Sequence, residues 1–398
     1  MDPPAFRLPG LRVLDDPAFR RVHAALPESR LVGGSVRDAV AGVPSADIDL
    51  ATPRLPEDVT ATLRAAGIAV VPTGLAHGTV TAVVDGRPVE ITTLRRDVAT
   101  DGRHATVAFT TDWREDAARR DFTINAMSMD AAGHVWDWFG GRDDLARGVV
   151  RFVGDPATRL AEDYLRALRF FRFHARYGRG APDAAAVAAI RAAVPGLARL
   201  SVERVWSELK RILAAPDPRD AVRLMDETGV LAAVLPEAAA RDRLDALVAA
   251  GAPADPLLRL AALCPDADVE RLAARLKLSA AEAATLAALA DPAPAGDESA
   301  WRAALAARGP EALTGAAWLA EAAGRAGDWP AWRAWIAATP RPVFPLRGAD
   351  VLAEGVAPGP RVGAILGALE RRWREAGCRD DAETVRRWLR ETVAATGA

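Results

Sequence analysis

With 398 residues, half of them hydrophobic and 26% charged, the chain has ordinary globular composition and is too long for one core, so two to four domains are expected. The net charge of −2 excludes a protein coated in positive potential, so any nucleic-acid contact must come from local clusters. Cys264 and Cys378 have no ligand-like neighbours, no apolar run is long enough to span a bilayer, and Met1-Asp2-Pro3-Pro4 lacks signal-peptide character, which excludes a disulfide framework and a zinc site and makes the cytoplasm the expected location.

Taken in chain order, Pro17 to Ala25 predicts a short helix leading into an apolar strand that ends at Leu31-Val32. Gly33-Gly34 permits the close backbone approach a phosphate needs, and Ser35 opens a helix whose amides can face an anion, with Arg37 one turn inside. In Asp47-Ile48-Asp49-Leu50 the alternation predicts a strand with both carboxylates on one face and the apolar residues in the core. Close ionised carboxylates repel, and a divalent ion between them relieves the repulsion. Gly-Gly-Ser alone is an ordinary turn and Asp-X-Asp alone a common strand edge; their weight lies in the pairing.

Pro56 to Ala65 predicts a second helix, with Glu57 and Asp58 suited to its N-terminal dipole. Strand-like runs follow at Ile68 to Val71, Thr79 to Val84 and Val89 to Leu94, the last two joined by a turn at Asp85-Gly86-Arg87-Pro88. Glu90 has two open readings: a solvated residue on an open sheet face, or a third acid brought beside Asp47 and Asp49 by sheet pairing. Arg95 to His104 is polar and glycine-punctuated and predicts a mobile loop, followed by a strand at Val107 to Thr110 and a helix at Trp113 to Arg120. Arg119 and Arg120 can sit in solvent, whereas Asp121 and Asn125, four residues apart, can face one direction and bond a ribose.

Gly33-Gly34 with Asp47-Ile48-Asp49 resembles the signature of the nucleotidyltransferase superfamily headed by DNA polymerase beta. With Ser35 to Asp38, Arg96-Asp97, Asp101 to Ala105 and Arg119 to Ala126 added, the first half resembles class II tRNA nucleotidyltransferases, the CCA-adding enzymes, whose core bacterial poly(A) polymerases share. The resemblance implies an α/β nucleotidyltransferase head of the polymerase-beta type at 1–140, then an all-α remainder: neck 141–213, body 214–290 and tail 291–398. It implies Asp47 and Asp49 as catalytic ligands of Mg2+, with Glu90 as the third acid, and Gly33, Gly34, Ser35 and Arg37 on the triphosphate. Arg120, Asp121 and Asn125 would hold the nucleotide through its ribose. The implied substrates are CTP and ATP and the implied partner is a tRNA 3′ end, with no membrane and no obligate protein partner. Asp137 to Leu145 resembles the family's connector between head and neck, although each residue singly also fits an ordinary glycine turn.

Asp155 and Pro156 open a helix predicted to end near Gly178, with Leu160, Leu165, Leu168 and Phe171 on its buried stripe. Glu162, Asp163 and Arg166 share another face, which in an unknown helix is a surface salt bridge worth under about 1 kcal/mol. In the family resembled, Glu-Asp-X-X-Arg reads the incoming base. An aspartate only accepts and a guanidinium only donates, so Asp163 suits the amino group of cytosine or adenine, and Arg166, held by Glu162, suits the neighbouring acceptor. Uracil and guanine present the wrong group to both. Arg169 and Arg172, with Arg176 and Arg179, continue a basic face expected to meet phosphate.

Ser201 is expected to cap a helix through Leu213 in which Arg204 pairs with Glu208. Beyond about residue 215 the chain reads as alanine-rich helices. The five tryptophans between Trp301 and Trp335, with Trp373 and Trp388, are expected as packing residues rather than a base-stacking platform. Leu346 to Leu352 and the glycines after it resemble the family's tRNA-binding tail. The expected reaction is template-independent addition of C, C and A to tRNA. The alternatives are a poly(A) polymerase and a non-catalytic RNA-binding protein on a degenerate head.

Overall fold

Alternation of apolar and polar residues over Arg87–Thr93 buries Val89, Ile91 and Thr93 and leaves Glu90 exposed, so one face of the sheet packs and the other stays open. The structure, a computed structural model, describes residues 2–44, 48–74, 78–100 and 105–395. It divides the chain into two units, 1–236 and 237–398. In the first unit the strands are β1 (Phe6–Arg7), β2 (Arg30–Val32), β3 (Asp49–Thr52), β4 (Ala69–Gly74) and β5 (Thr79–Val84). They continue with β6 (Arg87–Thr93), β7 (Arg95–Thr100), β8 (Ala105–Phe109), β9 (Ser128–Met129) and β10 (His134–Trp136).

Eight of these strands form one mixed sheet in the order β1-β10-β9-β2-β3-β6-β5-β4, in which β3 and β6 are the parallel pair. That pair puts Asp49 directly opposite Glu90. Helices α1 (Arg12–Asp15), α2 (Pro17–Ala25), α3 (Gly34–Ala41) and α4 (Pro56–Ala65) interleave with the strands. Phe19 and Val22 of α2 and Val59 and Leu63 of α4 close the apolar core with Leu31, Ile48, Leu50, Val80, Val89 and Ile91. The turn between β5 and β6 has Asp85 and Gly86 both at positive φ, the geometry that matches the twist of a tight hairpin.

The segment expected as a mobile loop instead begins with strand β7, paired antiparallel with β8 as a separate two-stranded ribbon. The ladder is made by backbone groups, which polar side chains do not prevent from pairing, so composition alone misread it. Residues 101–104, with Asp101 and His104, lie outside the described residues, as does Asp47.

Helices α5 (Trp113–Ala118), α6 (Gly141–Arg147), α7 (Pro156–Glu162), α8 (Leu165–Tyr177), α9 (Ala184–Ala193) and α10 (Val202–Leu213) follow in the same unit. The single helix expected from Asp155 to Gly178 is therefore two. Asp163 has extended backbone (φ −157°, ψ 107°) and ends α7, and its Oδ1 accepts from the Leu165 N–H at 3.0 Å, just before α8 runs on from Tyr164. Tyr164 seats at Gly196, where an added Cβ would come within 2.1 Å of its ring. Arg179 falls outside α8, which ends at Tyr177, and Ser201 makes no capping bond at the start of α10.

The second unit is helical throughout its described elements, from Arg241–Ala249 to Ala382–Ala395. Trp301 stacks on Trp332 with ring centroids 4.3 Å apart, and Trp301, Trp329, Trp373 and Trp388 are all buried, as expected of packing residues. Among the described residues no helix is long and apolar enough to cross a membrane.

Candidate active site

The end of β2 delivers the backbone to Gly33, whose φ of +62° and ψ of −125° suit glycine; an added Cβ would lie 3.0 Å from Arg120 Nη1. Ser35 is buried, and its Oγ accepts from the Asp49 N–H at 3.1 Å. The serine side chain thus ties the head of α3 to the acidic strand. Asp49 itself is half-buried on the site side of β3, while Ile48 and Leu50 enter the core. Of the two described acids, Asp49 lines the site and Glu90 is its register partner on β6, outside the site lining; both offer only oxygen, the donor a hard divalent cation takes.

Arg37 lies one turn into α3. It donates from Nη1 to Asn125 Oδ1 at 2.6 Å and from Nε to Asp38 Oδ1 at 3.0 Å, and its guanidinium sits 4.7 Å from the Tyr177 ring centre. The Tyr177 hydroxyl donates to Asp38 at 2.5 Å, so the last turn of α8 fixes the arginine from behind. Asn125 in turn donates to Asp121 Oδ1 at 3.0 Å, and Asp121 Oδ2 accepts from Arg169 Nε at 2.7 Å. Sequence spacing does bring Asp121 and Asn125 together, but Asp121 is buried and acts on the arginine beside it. Arg119 and Arg120, for which solvent was one open reading, are held by buried Asp116, at 2.8 and 3.1 Å.

Glu162 accepts from Arg159 at 3.0 Å and from Arg166 Nη1, and so holds that guanidinium as the sequence suggested. Asp163 does not pair with Arg166. The helix break turns it to Arg204, whose Nη2 donates to Oδ2 at 2.7 Å. Consequently Arg204 is not the partner of Glu208, which instead accepts from Arg172 at 3.2 Å. Each member of the Asp163/Arg166 pair is thus held by a third party. Among the described residues Nε and Nη2 of Arg166 make no hydrogen bond, and Asp163 keeps lone pairs beyond the two it uses.

These groups converge on one cavity of about 590 Å³, lined by eight arginines and three aspartates (Asp49, Asp121 and Asp163) along with Gly33, Gly34 and Asn125. Its charge balance suits a polyanion. Arg119, Arg204, Arg211 and Phe173 belong to it and were missed. Phe173 lies beneath Arg37, Arg169 and Arg172, with guanidinium carbons 5.0, 5.7 and 4.5 Å from its ring centre. Its position four residues after Arg169 was the available signal. Arg176 and Arg179 do not line this cavity; they line another.

Burial pushes the Asp121 carboxyl up, but Arg169 beside it and bonds from Asn125 and the Phe122 N–H outweigh that and leave it below the ordinary value. Burial opposes Asp116 likewise, and Arg120 and Arg119 draw it down. Burial lowers Arg172 to about 10, with Glu208 opposing and Arg169 adding. A depressed native carboxylate stabilises the fold above the unfolded value of about 3.9, and the contribution is lost as pH falls through the lower native value. Asp121→Asn should therefore cost about 2–3 kcal/mol at pH 7, less than a fully buried pair because Arg169 is a third exposed. In denaturant titrations the gap to wild type should narrow as pH drops from 5 to 2; a constant gap would show that the ion pair contributes nothing.

The Poly A polymerase head domain model matches residues 29–151, and the model described as probable RNA and SrmB-binding site of polymerase A matches 182–241. The mitochondrial CCA tRNA nucleotidyltransferase 1 of Mus musculus is 35% identical over 96% of this chain and 90% of its own length. The CCA-adding enzyme of Geobacillus stearothermophilus is 40% identical over 56% of this chain and 54% of its own. The solved CCA-adding enzyme of Bacillus stearothermophilus in complex with CTP is 29% identical, with a TM-score of 0.74 over 96% of this chain and 99% of that one. With its mixed-sheet head and helical remainder, the chain belongs to the CCA tRNA nucleotidyltransferase family.

Proposed function

We propose that this protein adds C, C and A, without a template, to the 3′ end of tRNA, using CTP and ATP. The observation that carries this reading is the single cavity in which Asp49, the Arg37–Asn125–Asp121–Arg169 chain and the separately held Asp163 and Arg166 meet. Residues 1–140 serve as head, 141–213 as neck, 214–290 as body and 291–398 as tail; the end of the described strands at Trp136 supports the first of these boundaries. A cytoplasmic location is part of the proposal, supported by two buried free cysteines.

The RNA 3′-hydroxyl oxygen attacks the α-phosphorus in line; its P–O bond forms as the bond to the β-phosphate oxygen breaks, pyrophosphate leaves, and the hydroxyl proton passes to water. Gly33, Gly34 and Arg37 receive the triphosphate, with Ser35 holding the acidic strand, and Arg169 and Arg172 meet RNA phosphate. Arg120, Asp121 and Asn125 form the wall beside the ribose. Asp163 accepts from the amino group of cytosine or adenine while Arg166 donates to the adjacent acceptor, which rejects uracil and guanine at both contacts. The family depends on divalent metal, and we assign magnesium to Asp47 and Asp49, with Glu90 as third acid. Bound there, magnesium would lower the pKa of the attacking hydroxyl and neutralise charge on the leaving group.

The test is extension of a tRNA transcript lacking its last three nucleotides, with magnesium and with CTP and ATP separately and together. Two additions with CTP and one more with ATP, then arrest, are expected. A long ladder with ATP alone would make the protein a poly(A) polymerase, and binding without extension a degenerate RNA-binding module.

A further inference from the structure

A second cavity, of about 680 Å³, opens at the C-terminal end of α3. Val40 of α3, Tyr177 of α8 and Pro216 beyond α10 form its apolar wall, and Arg142, Arg176 and Arg179 supply its charge, with no carboxylate in the lining. All three arginines are exposed, and among the described residues none makes an ion pair. They are nonetheless held. Arg142 packs 4.4 Å from the Phe6 ring centre and Arg176 5.6 Å from that of Tyr177. The Arg179 N–H donates to the Gly148 carbonyl at 2.9 Å, and a Cβ on Gly148 would come within 2.5 Å of the Arg179 side chain.

Cations favour helix C-termini, which accounts for Arg176 in the last turn of α8. It does not account for Arg142, which sits in the first turn of α6, where a cation opposes the dipole. We infer that this cavity is a docking surface for the phosphodiester backbone of the RNA substrate, separate from the triphosphate site and sharing only the Tyr177 wall with its supports. Exposed guanidiniums on separate segments suit a repeating polyanion, whereas a small anion would need donors converging in an enclosed site. The inference rests on the tRNA reading.

The test measures binding of a tRNA lacking its last three nucleotides, from 50 to 200 mM KCl, to wild type, to the R142A/R176A/R179A variant and to the corresponding triple lysine variant. Loss of three phosphate contacts should reduce the slope of log Kd against log salt by about 2–3 in the alanine variant, with most of the slope kept in the lysine variant. The KM for CTP at saturating tRNA should not move. An unchanged slope overturns the inference, as does loss of inorganic triphosphate binding with tRNA affinity intact, which would make the cavity a small-anion site. Wild type that neither binds nor extends tRNA removes the functional reading and this inference together; wild type that does both while the alanine variant matches it removes only the inference.

Discussion

Asp49→Ala is expected to slow nucleotide addition at least about a thousandfold while leaving the unfolding temperature nearly unchanged. A bound divalent ion supplies several kcal/mol of transition-state stabilisation, and about 4 kcal/mol corresponds to three decades of rate. The side chain is half-buried on the site side of β3, while the bond that holds its strand to α3 runs from its backbone N–H to Ser35 and survives the change. Single-turnover rates beside a thermal melt separate the two effects. Retention of rate within tenfold would remove Asp49 from the chemistry. The same loss is expected for Asp47→Ala on the strength of the Asp-Ile-Asp pattern.

Arg166→Ile should relax base choice more than it slows the reaction. A mismatched buried polar contact costs about 1–3 kcal/mol, so discrimination against UTP should fall roughly 10- to 100-fold, read as the ratio of kcat/KM for CTP and UTP. Glu162 keeps Arg159 as partner after the change, which limits the damage to the neck. Asp163→Ala is a less clean probe of the same pair, since it also leaves Arg204 without its carboxylate and removes the acceptor of the Leu165 N–H, a bond worth about 1 kcal/mol. Unchanged rejection of UTP by the Arg166 variant would sink the assignment of base reading to this arginine.

What the sequence by itself determined was whatever depends on neighbours along the chain. The period-2 alternation around Ile48, Leu50, Val89 and Ile91 defined core strands with the acids outward, and Asp155-Pro156 defined a helix start. The motifs from Gly33 to Arg166 were enough to identify the family by resemblance, because several runs of matching residues occur in order along one chain. Only the tertiary structure decided the partnerships. At the break Tyr164 seats against Gly196, some thirty residues away, while Asp163 turns to Arg204 and Glu208 takes Arg172. Asp116 gathers Arg119 and Arg120, and Phe173 comes to lie under three arginines drawn from two helices, α3 and α8. In a chain whose cationic residues are nearly all arginine, local spacing offers each carboxylate several equivalent partners. Burial and helix geometry choose among them, and these exist only once the chain has folded.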